Sequence, residues 1–302
     1  PIVTSTGTID QYGVILNAGK PTEIEKRVGM NFSTIVSGLK PHFTYDVRLI
    51  ACLAGEPNAC GIGMGTEVMT KEAPPSDMLP PILTAKGPKI VDIDWGPPLF
   101  PNGILLQYLI YYREEGSSIE FLINRVESDV VHIRHAGNDL KPFTQYQYRV
   151  VAGNKEGDVS SGWALVRTLE ALPAGVKRPN ISATSAFGFI MNWDPPLSPN
   201  GVIKEYRIVY KEIKMSPGNH TVEYLSVSPS IFTTLLSGLK PYSNYEVYLQ
   251  VINSIGNTSS DTVIVQTDQS SPVGMPVIKA EKISSGTALI LRWDSPAQPN
   301  GI

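Results

Sequence analysis

The stretch WGPPLFPNG, Trp95 to Gly103, decides how this chain is read, because it recurs. WDPPLSPNG runs from Trp193 to Gly201 and WDSPAQPNG from Trp293 to Gly301, so the tryptophans stand 98 and 100 residues apart. A second landmark keeps the same period, reading SGLKPHFTYDVRL at 37–49, NDLKPFTQYQYRV at 138–150 and SGLKPYSNYEVYL at 237–249. Its leucine and the tyrosine six residues later are Leu39/Tyr45, Leu140/Tyr146 and Leu239/Tyr245. The period is too long for a helical solenoid repeat of roughly 20–50 residues and marks a unit of domain size.

Apolar residues alternate within each unit. Val91, Ile93 and Trp95 share one face of IVDIDW, which leaves Asp92 and Asp94 on the other, solvent face. Phe189, Met191 and Trp193 repeat the scheme, as do Leu289, Leu291 and Trp293. Beyond the proline loop, Tyr108, Ile110 and Tyr112 fall together, as do Tyr206, Ile208 and Tyr210. A period of two, with aromatic and β-branched residues between Gly, Pro and Asn, predicts short antiparallel strands and no helix. The prolines after each Trp stop its strand, and Pro-Asn-Gly is a turn in which Asn and Gly tolerate positive φ.

About seven strands per unit make an all-β chain of small β-sandwiches. These landmarks resemble the fibronectin type III domain, an immunoglobulin-like sandwich with a buried Trp in its second strand. The resemblance makes Trp95, Trp193 and Trp293 core markers, and Tyr45, Tyr146 and Tyr245 tyrosine corners at the turn into the sixth strand. It covers essentially the whole chain. The phrases LTAKGPKIVDIDW and PPLFPNGILLQYLIYYR further resemble a very large extracellular member of the family, built from dozens of such domains.

Complete domains are expected at 74–170 and 172–268. GTIDQY at 7–12 aligns with GILLQY at 103–108 and GVIKEY at 201–206. Residues 1–72 therefore read as a domain without its first two strands, and 273–302 as those two strands alone. The expectation is two complete and two partial seven-stranded sandwiches, with end-to-end self-association through the partial ones. The joints KEAPPSDMLPP, LEALPAGVKRP and DQSSPVGMP are short and rich in proline, which predicts a semi-rigid array.

Composition and residue pattern exclude several functions. A net charge of −3 with no basic run argues against nucleic acid, and no apolar run approaches the roughly 20 residues of a membrane helix. His132 and His135 are three apart, hence on opposite faces of a strand, and are not expected to chelate one ion. No nucleophile–base arrangement recurs, and GIGMG at 61–65 lacks the Lys-Ser/Thr tail of a phosphate loop. No catalytic residue, cofactor, metal or small-molecule substrate is expected, nor membrane contact within the segment. The PxxP runs at Pro98–Pro101, Pro196–Pro199 and Pro296–Pro299 lack flanking Arg, and the fold explains them without a polyproline ligand.

Cys52 and Cys60 flank the loop between the sixth and seventh strands. Facing positions there suit a disulfide if the Cα atoms come within about 7 Å, and a bridge would indicate an oxidising compartment. Two free thiols in a reducing compartment are the alternative. Four sequons, at Asn31, Asn180, Asn219 and Asn257, are candidate N-glycosylation sites, with Asn219 and Asn257 placed in loops and Asn31 and Asn180 beside strands. None of the loops between the sixth and seventh strands holds Arg-Gly-Asp, and SSGWA around Trp163 is a one-Trp echo of the cytokine-receptor motif.

The expected function is a non-catalytic structural or adhesive segment of a large extracellular or membrane-tethered protein. Its partners would be other proteins, matrix or cell-surface. The likeness to the large extracellular member implies basement membrane, or links between sensory-cell membranes at the stereocilium, with matrix partners such as collagen. The rivals are an ectodomain segment of a signalling receptor or receptor phosphatase, and an intracellular elastic array of the muscle type.

Overall fold

A computed structural model of the chain describes residues 7–213, 221–283 and 286–302. They fall into two compact units, one drawn from Pro1–Thr84, Val91–His135 and Gln145–Val166, the other from Ala85–Ile90, Ala136–Thr144 and Arg167–Ile302. All regular structure among the described residues is β.

The first strands are β1 (Ile9–Leu16), β2 (Ile24–Gly29), β3 (Thr44–Leu53), β4 (Glu56–Ile62) and β5 (Thr66–Met69). They form one antiparallel sheet in the order β2-β1-β3-β4, with β5 also on β3. No second sheet faces it within residues 7–72.

The next run is β6 (Ile82–Gly87), β7 (Ile90–Asp94), β8 (Gln107–Glu114), β9 (Phe121–Glu127), β10 (His132–Ala136), β11 (Gln145–Asn154), β12 (Gly157–Ser160) and β13 (Ala164–Arg167). It makes two sheets, β10-β7-β6 and β12-β11-β8-β9 with β13 on β11. The alternation read from sequence sets the inner faces. Val91, Ile93 and Trp95 are buried, as are Tyr108, Ile110, Tyr112, Tyr146, Tyr148 and Val150. Trp95 meets Tyr108 edge-on at 5.6 Å between ring centroids. Such side chains each contribute roughly 1.5–3 kcal/mol of apolar burial.

The third run is β14 (Asn180–Ser185), β15 (Gly188–Asn192), β16 (Glu205–Glu212), β17 (Glu223–Val227), β18 (Thr233–Ser237), β19 (Asn244–Ile252), β20 (Asn257–Ser259) and β21 (Val263–Gln266). Its sheets are β14-β15-β18 and β17-β16-β19-β20, with β21 on β19. Trp193 again meets Tyr206 edge-on, at 5.7 Å. The core also holds Phe189, Met191, Ile208, Leu236, Val247 and Leu249. The last strands, β22 (Lys279–Lys282) and β23 (Leu289–Arg292), pair only with each other among the described residues.

Eight strand segments occur where seven strands were expected, because the last strand is broken in two. At the break the Ser161 hydroxyl accepts the Val150 N–H at 3.0 Å, while the Ser161 N–H returns to the Val150 carbonyl. Ser260 does the same to Leu249. A side-chain oxygen standing in for a backbone carbonyl ends the ladder and lets the chain bend.

The three core markers differ in exposure. Trp293 is 66 % exposed where Trp95 and Trp193 are 7 % and 6 %. Its strand has no opposing sheet among the described residues, so its indole has nothing to pack on.

Candidate functional site

The repeated Pro-Asn-Gly turns are binding devices for the chain itself. Asn102, Asn200 and Asn300 take left-handed φ values of 53°, 51° and 56°, which Asn tolerates better than other side chains. That conformation turns each asparagine towards the joint about thirty residues earlier. The Asn102 carbonyl accepts the Ala73 N–H at 2.9 Å, and its Nδ2 donates to the Pro74 carbonyl at 2.9 Å. Asn200 holds Ala171 and Leu172 in the same two ways, at 2.8 Å and 2.8 Å. Asn300 holds Ser270 and Ser271 at 3.0 Å and 2.9 Å.

The following glycines do a different job from the one expected. Gly103, Gly201 and Gly301 are not among the positive-φ residues. A Cβ on Gly103 would lie 2.8 Å from the Glu72 carboxylate carbon, and one on Gly201 would lie 2.7 Å from that of Glu170. Gln269 crowds Gly301 in the same way. The missing side chain makes room for the acidic or amide residue of the joint.

Those joint residues are themselves engaged. Glu72 has a buried side chain, with His42 Nδ1 at 3.7 Å and Lys155 Nζ at 3.6 Å. Glu170 accepts the Val202 N–H at 3.0 Å and the hydroxyl of Ser254. These bonds hold its carboxyl below the ordinary carboxylate range, first through Ser254 and then through Val202.

A buried asparagine completes each of the first two clasps. Asn154 Nδ2 donates to the Ala73 carbonyl at 2.8 Å and the Pro101 carbonyl at 3.2 Å. Its Oδ1 accepts the N–H groups of Glu156 and Gly157. Asn253 grips Ala171 likewise. The Leu-Lys-Pro turns grip the same joints two residues earlier. His42, Phe143 and Tyr242 are left-handed, and their N–H groups donate to the carbonyls of Lys71, Leu169 and Asp268. Thr70, Thr168 and Thr267 return hydroxyls to the carbonyls of Lys40, Lys141 and Lys240 at 2.6–2.7 Å.

The other sequence-derived residues are scattered. Cys52 and Cys60 face each other on β3 and β4, with Cα atoms 4.0 Å apart, and are joined by a disulfide. The Tyr45 and Tyr245 hydroxyls accept the N–H groups of Lys40 and Lys240, each at 2.9 Å, which is the hydrogen bond of a tyrosine corner. Tyr146 is buried at the matching place. Asn31 is exposed, and its Nδ2 donates to the Val28 carbonyl. Asn180 is exposed on the first residue of β14. Asn257, expected in a loop, instead begins β20, although it too is exposed. Asn219 lies outside the described residues, as does His220.

Asp92 corrects the expected solvent face. It is buried, because Arg134 on the neighbouring strand lies over it and donates to both carboxylate oxygens at 2.7 and 3.0 Å. His132 sits outside against Asp94, and His135 sits inside against the Tyr148 hydroxyl. Trp163 is flanked by the guanidinium groups of Arg113 and Arg149, at 4.2 and 5.2 Å. Among the described residues no cluster of three His, Cys, Asp or Glu could hold a metal ion. No helix among them is long and apolar enough to cross a membrane.

A family model for the fibronectin type III domain matches residues 74–166 and 173–267. The chain belongs to the fibronectin type III domain family. Fibronectin type III domains are non-catalytic and commonly mediate protein–protein interaction. The chain is 37 % identical to usherin of Homo sapiens over 294 residues, which is 97 % of this chain and 6 % of usherin. It is 30 % identical to the phosphatidylinositol phosphatase PTPRQ of Rattus norvegicus over 322 residues, or all of this chain and 13 % of that protein. The structure of the chicken CNTN1 FN1-FN3 domains matches with a TM-score of 0.40 at 20 % identity, over 88 % of this chain and 91 % of that one.

The clasp residues Glu72, Glu170, Asn154 and Asn253 are absent from the sequence reading. The signal was present: Asn154 and Asn253 are 99 apart, and each is followed three residues later by glycine. A repeat read one landmark further would have found them.

Proposed function

We propose that the chain is a non-catalytic structural and adhesive segment of an extracellular array, a spacer whose joints are stiffened rather than free. The repeated asparagine clasp carries this reading. Each joint is bonded from a Pro-Asn-Gly turn on one side and a Leu-Lys-Pro turn on the other. Every bond fixed across a joint removes backbone freedom that a flexible linker would keep.

The disulfide fits an oxidising, extracellular compartment. The exposed sequons Asn31, Asn180 and Asn257 fit a glycoprotein there. The partners are matrix or cell-surface proteins, collagen among them, together with further copies meeting end to end. Basement membrane and the links of the stereocilium are the settings of choice. The 30 % identity to PTPRQ favours, as a second reading, the ectodomain of a receptor phosphatase.

The test is a distance measurement between spin labels on Asp129→Cys and Ser230→Cys. A single narrow distribution supports the stiff spacer. A broad one, like that of a flexible linker, overturns it.

A further inference from the structure

The outer face of the sheet β14-β15-β18 differs in kind from its counterpart in the middle sandwich. There Asp92 and Asp94 on β7 are met from β10 by Arg134 and His132. Trp95 and Trp193 donate their N–H groups to the carbonyls of Val131 and Phe232, which fixes the correspondence between the two sheets. Ile190 stands where Asp92 does, three residues before the Trp, and Leu235 stands where Arg134 does, three residues after the carbonyl. Asn192 and Thr233 replace Asp94 and His132 in the same way. An ion pair has become an apolar pair. Leu235 is 57 % exposed and Ile190 39 %, although they lie directly opposite each other in register.

The neighbouring strand changes at the same place. β6 begins with Ile82 and β14 with Asn180, each thirteen residues before its Trp. Asn180-Ile181-Ser182 is a sequon, and the middle sandwich has none there. Ile181 packs inwards against the core, which leaves Asn180 exposed on the outer face. Asn180 lies opposite Asn192, and Asn192 opposite Thr233. Ile190 is therefore the diagonal neighbour of Asn180, about 7–8 Å away, with Leu235 next across the sheet. Ser182 falls at the bulge of β14 and is exposed.

We propose that Asn180 carries an N-linked glycan whose first N-acetylglucosamine lies over Ile190 and Leu235. The sugar covers this pair as Arg134 covers Asp92 in the middle sandwich. Attachment is transfer from a lipid-linked oligosaccharide diphosphate. Asn180 Nδ2 bonds to C1 of the sugar, the diphosphate leaves with the electron pair of the C1–O bond, and the amide gives up one proton. A pyranose ring has C–H groups on its flat face and hydroxyls at its rim. Laid over an ion pair, that face would strip water from charges, whereas over Ile190 and Leu235 it buries apolar surface. The covalent tether also holds the sugar on this face and keeps other proteins from it. The inference rests on the extracellular, glycosylated reading above and has its own test.

The full chain is secreted from cells that add high-mannose glycans, and its glycopeptides are identified by mass. Endoglycosidase H then leaves one N-acetylglucosamine on each occupied asparagine. The expected result is sugar on the Asn180 peptide. Ser182→Ala removes the sequon and keeps Asn180. Amide exchange in β14 and β15 is expected to be about fivefold slower in the trimmed parent than in trimmed Ser182→Ala, which is what half-burying one Leu or Ile side chain contributes. Ile190→Thr with Leu235→Thr removes the apolar seat, and both residues are exposed, so that variant keeps the fold. In its background the difference vanishes. It is absent too when parent and Ser182→Ala come from a host that attaches no glycan.

A bare Asn180 beside other occupied sequons overturns this inference alone, and bare asparagines throughout overturn the glycoprotein reading with it. Equal exchange in the trimmed parent and Ser182→Ala overturns the seat, as does a difference that survives in the double threonine variant or without glycan. So does a glycosylated chain whose sedimenting mass grows with concentration until Ile190→Asp disperses it, since the face then takes a second copy. None of these results bears on the stiffness of the joints, which the labelled distance judges.

Discussion

The side-chain amide of Asn253 donates to the carbonyl of Ala171 at 2.6 Å and joins residues 82 apart in the chain. The same amide accepts the N–H groups of Ile255 and Gly256 through Oδ1. Asn253 is buried, so none of these groups has water as an easy substitute. Asn253→Ala leaves three backbone groups without this partner and lowers stability by about 1–3 kcal/mol. Asn253→Asp keeps the acceptor but aims an oxygen at the Ala171 carbonyl, and it is at least as costly at neutral pH. Urea unfolding midpoints decide, and an unchanged midpoint in Asn253→Ala contradicts the clasp.

Asn102 separates conformation from bonding. Its left-handed φ favours Asn or Gly, while its Nδ2 bond to Pro74 needs an amide. Asn102→Gly keeps the conformation and loses one exposed bond, at a cost of about 1 kcal/mol or less. Asn102→Val loses the bond and forces a β-branched residue into the same φ, at a further cost of about 1–3 kcal/mol. Thermal denaturation of the two variants measures the gap. Equal losses would mean that the conformation carries no strain.

Much of the fold was legible because alternation and period are properties of the chain itself. Val91, Ile93 and Trp95 announce a half-buried strand wherever they occur. Burial of a particular Trp is not such a property. Trp293 satisfies the same local pattern and is exposed where no second sheet faces its strand among the described residues, since burial needs an opposing sheet that the pattern does not describe. Asp92 fails in the other direction: alternation assigns it to solvent, and only the position of Arg134 on another strand reveals that it is covered. The clasps were hidden for a third reason. Glu170 and Ala171 lie far in sequence from Ser254 and Asn253 and meet them only through topology.

Tyr210 makes an alkaline prediction. Burial, then the hydrogen bond to Glu223 and its charge, pushes the phenol up to about 12 from 10.0. A phenol with a raised folded value favours the folded state below the unfolded value, and the benefit drains away as pH climbs towards the folded one. Stability from this group is therefore intact below about pH 10 and lost between about 10 and 12. Tyr210→Phe has a shallower alkaline loss than the parent. Ultraviolet titration of the phenolates checks the cause, since one late-ionising tyrosine disappears in the variant.

Glu170 gives the opposite limb. Its carboxylate is held low chiefly by the Ser254 hydroxyl, then by the Val202 N–H, with the Lys204 charge adding to them. A carboxylate with a depressed folded value stabilises the folded state above the unfolded value near 4.5 and loses that contribution as pH falls through the folded value. Glu170→Gln keeps the shape of the clasp but cannot titrate. The melting temperature of the parent should exceed that of Glu170→Gln by a constant margin from about pH 7 down to about pH 5, and the margin should shrink below that. Ser254→Ala removes the largest cause, so the margin above pH 5 is smaller and its loss is complete at a higher pH. A margin that stays flat through the acid range would show that Glu170 does not hold the joint as a carboxylate.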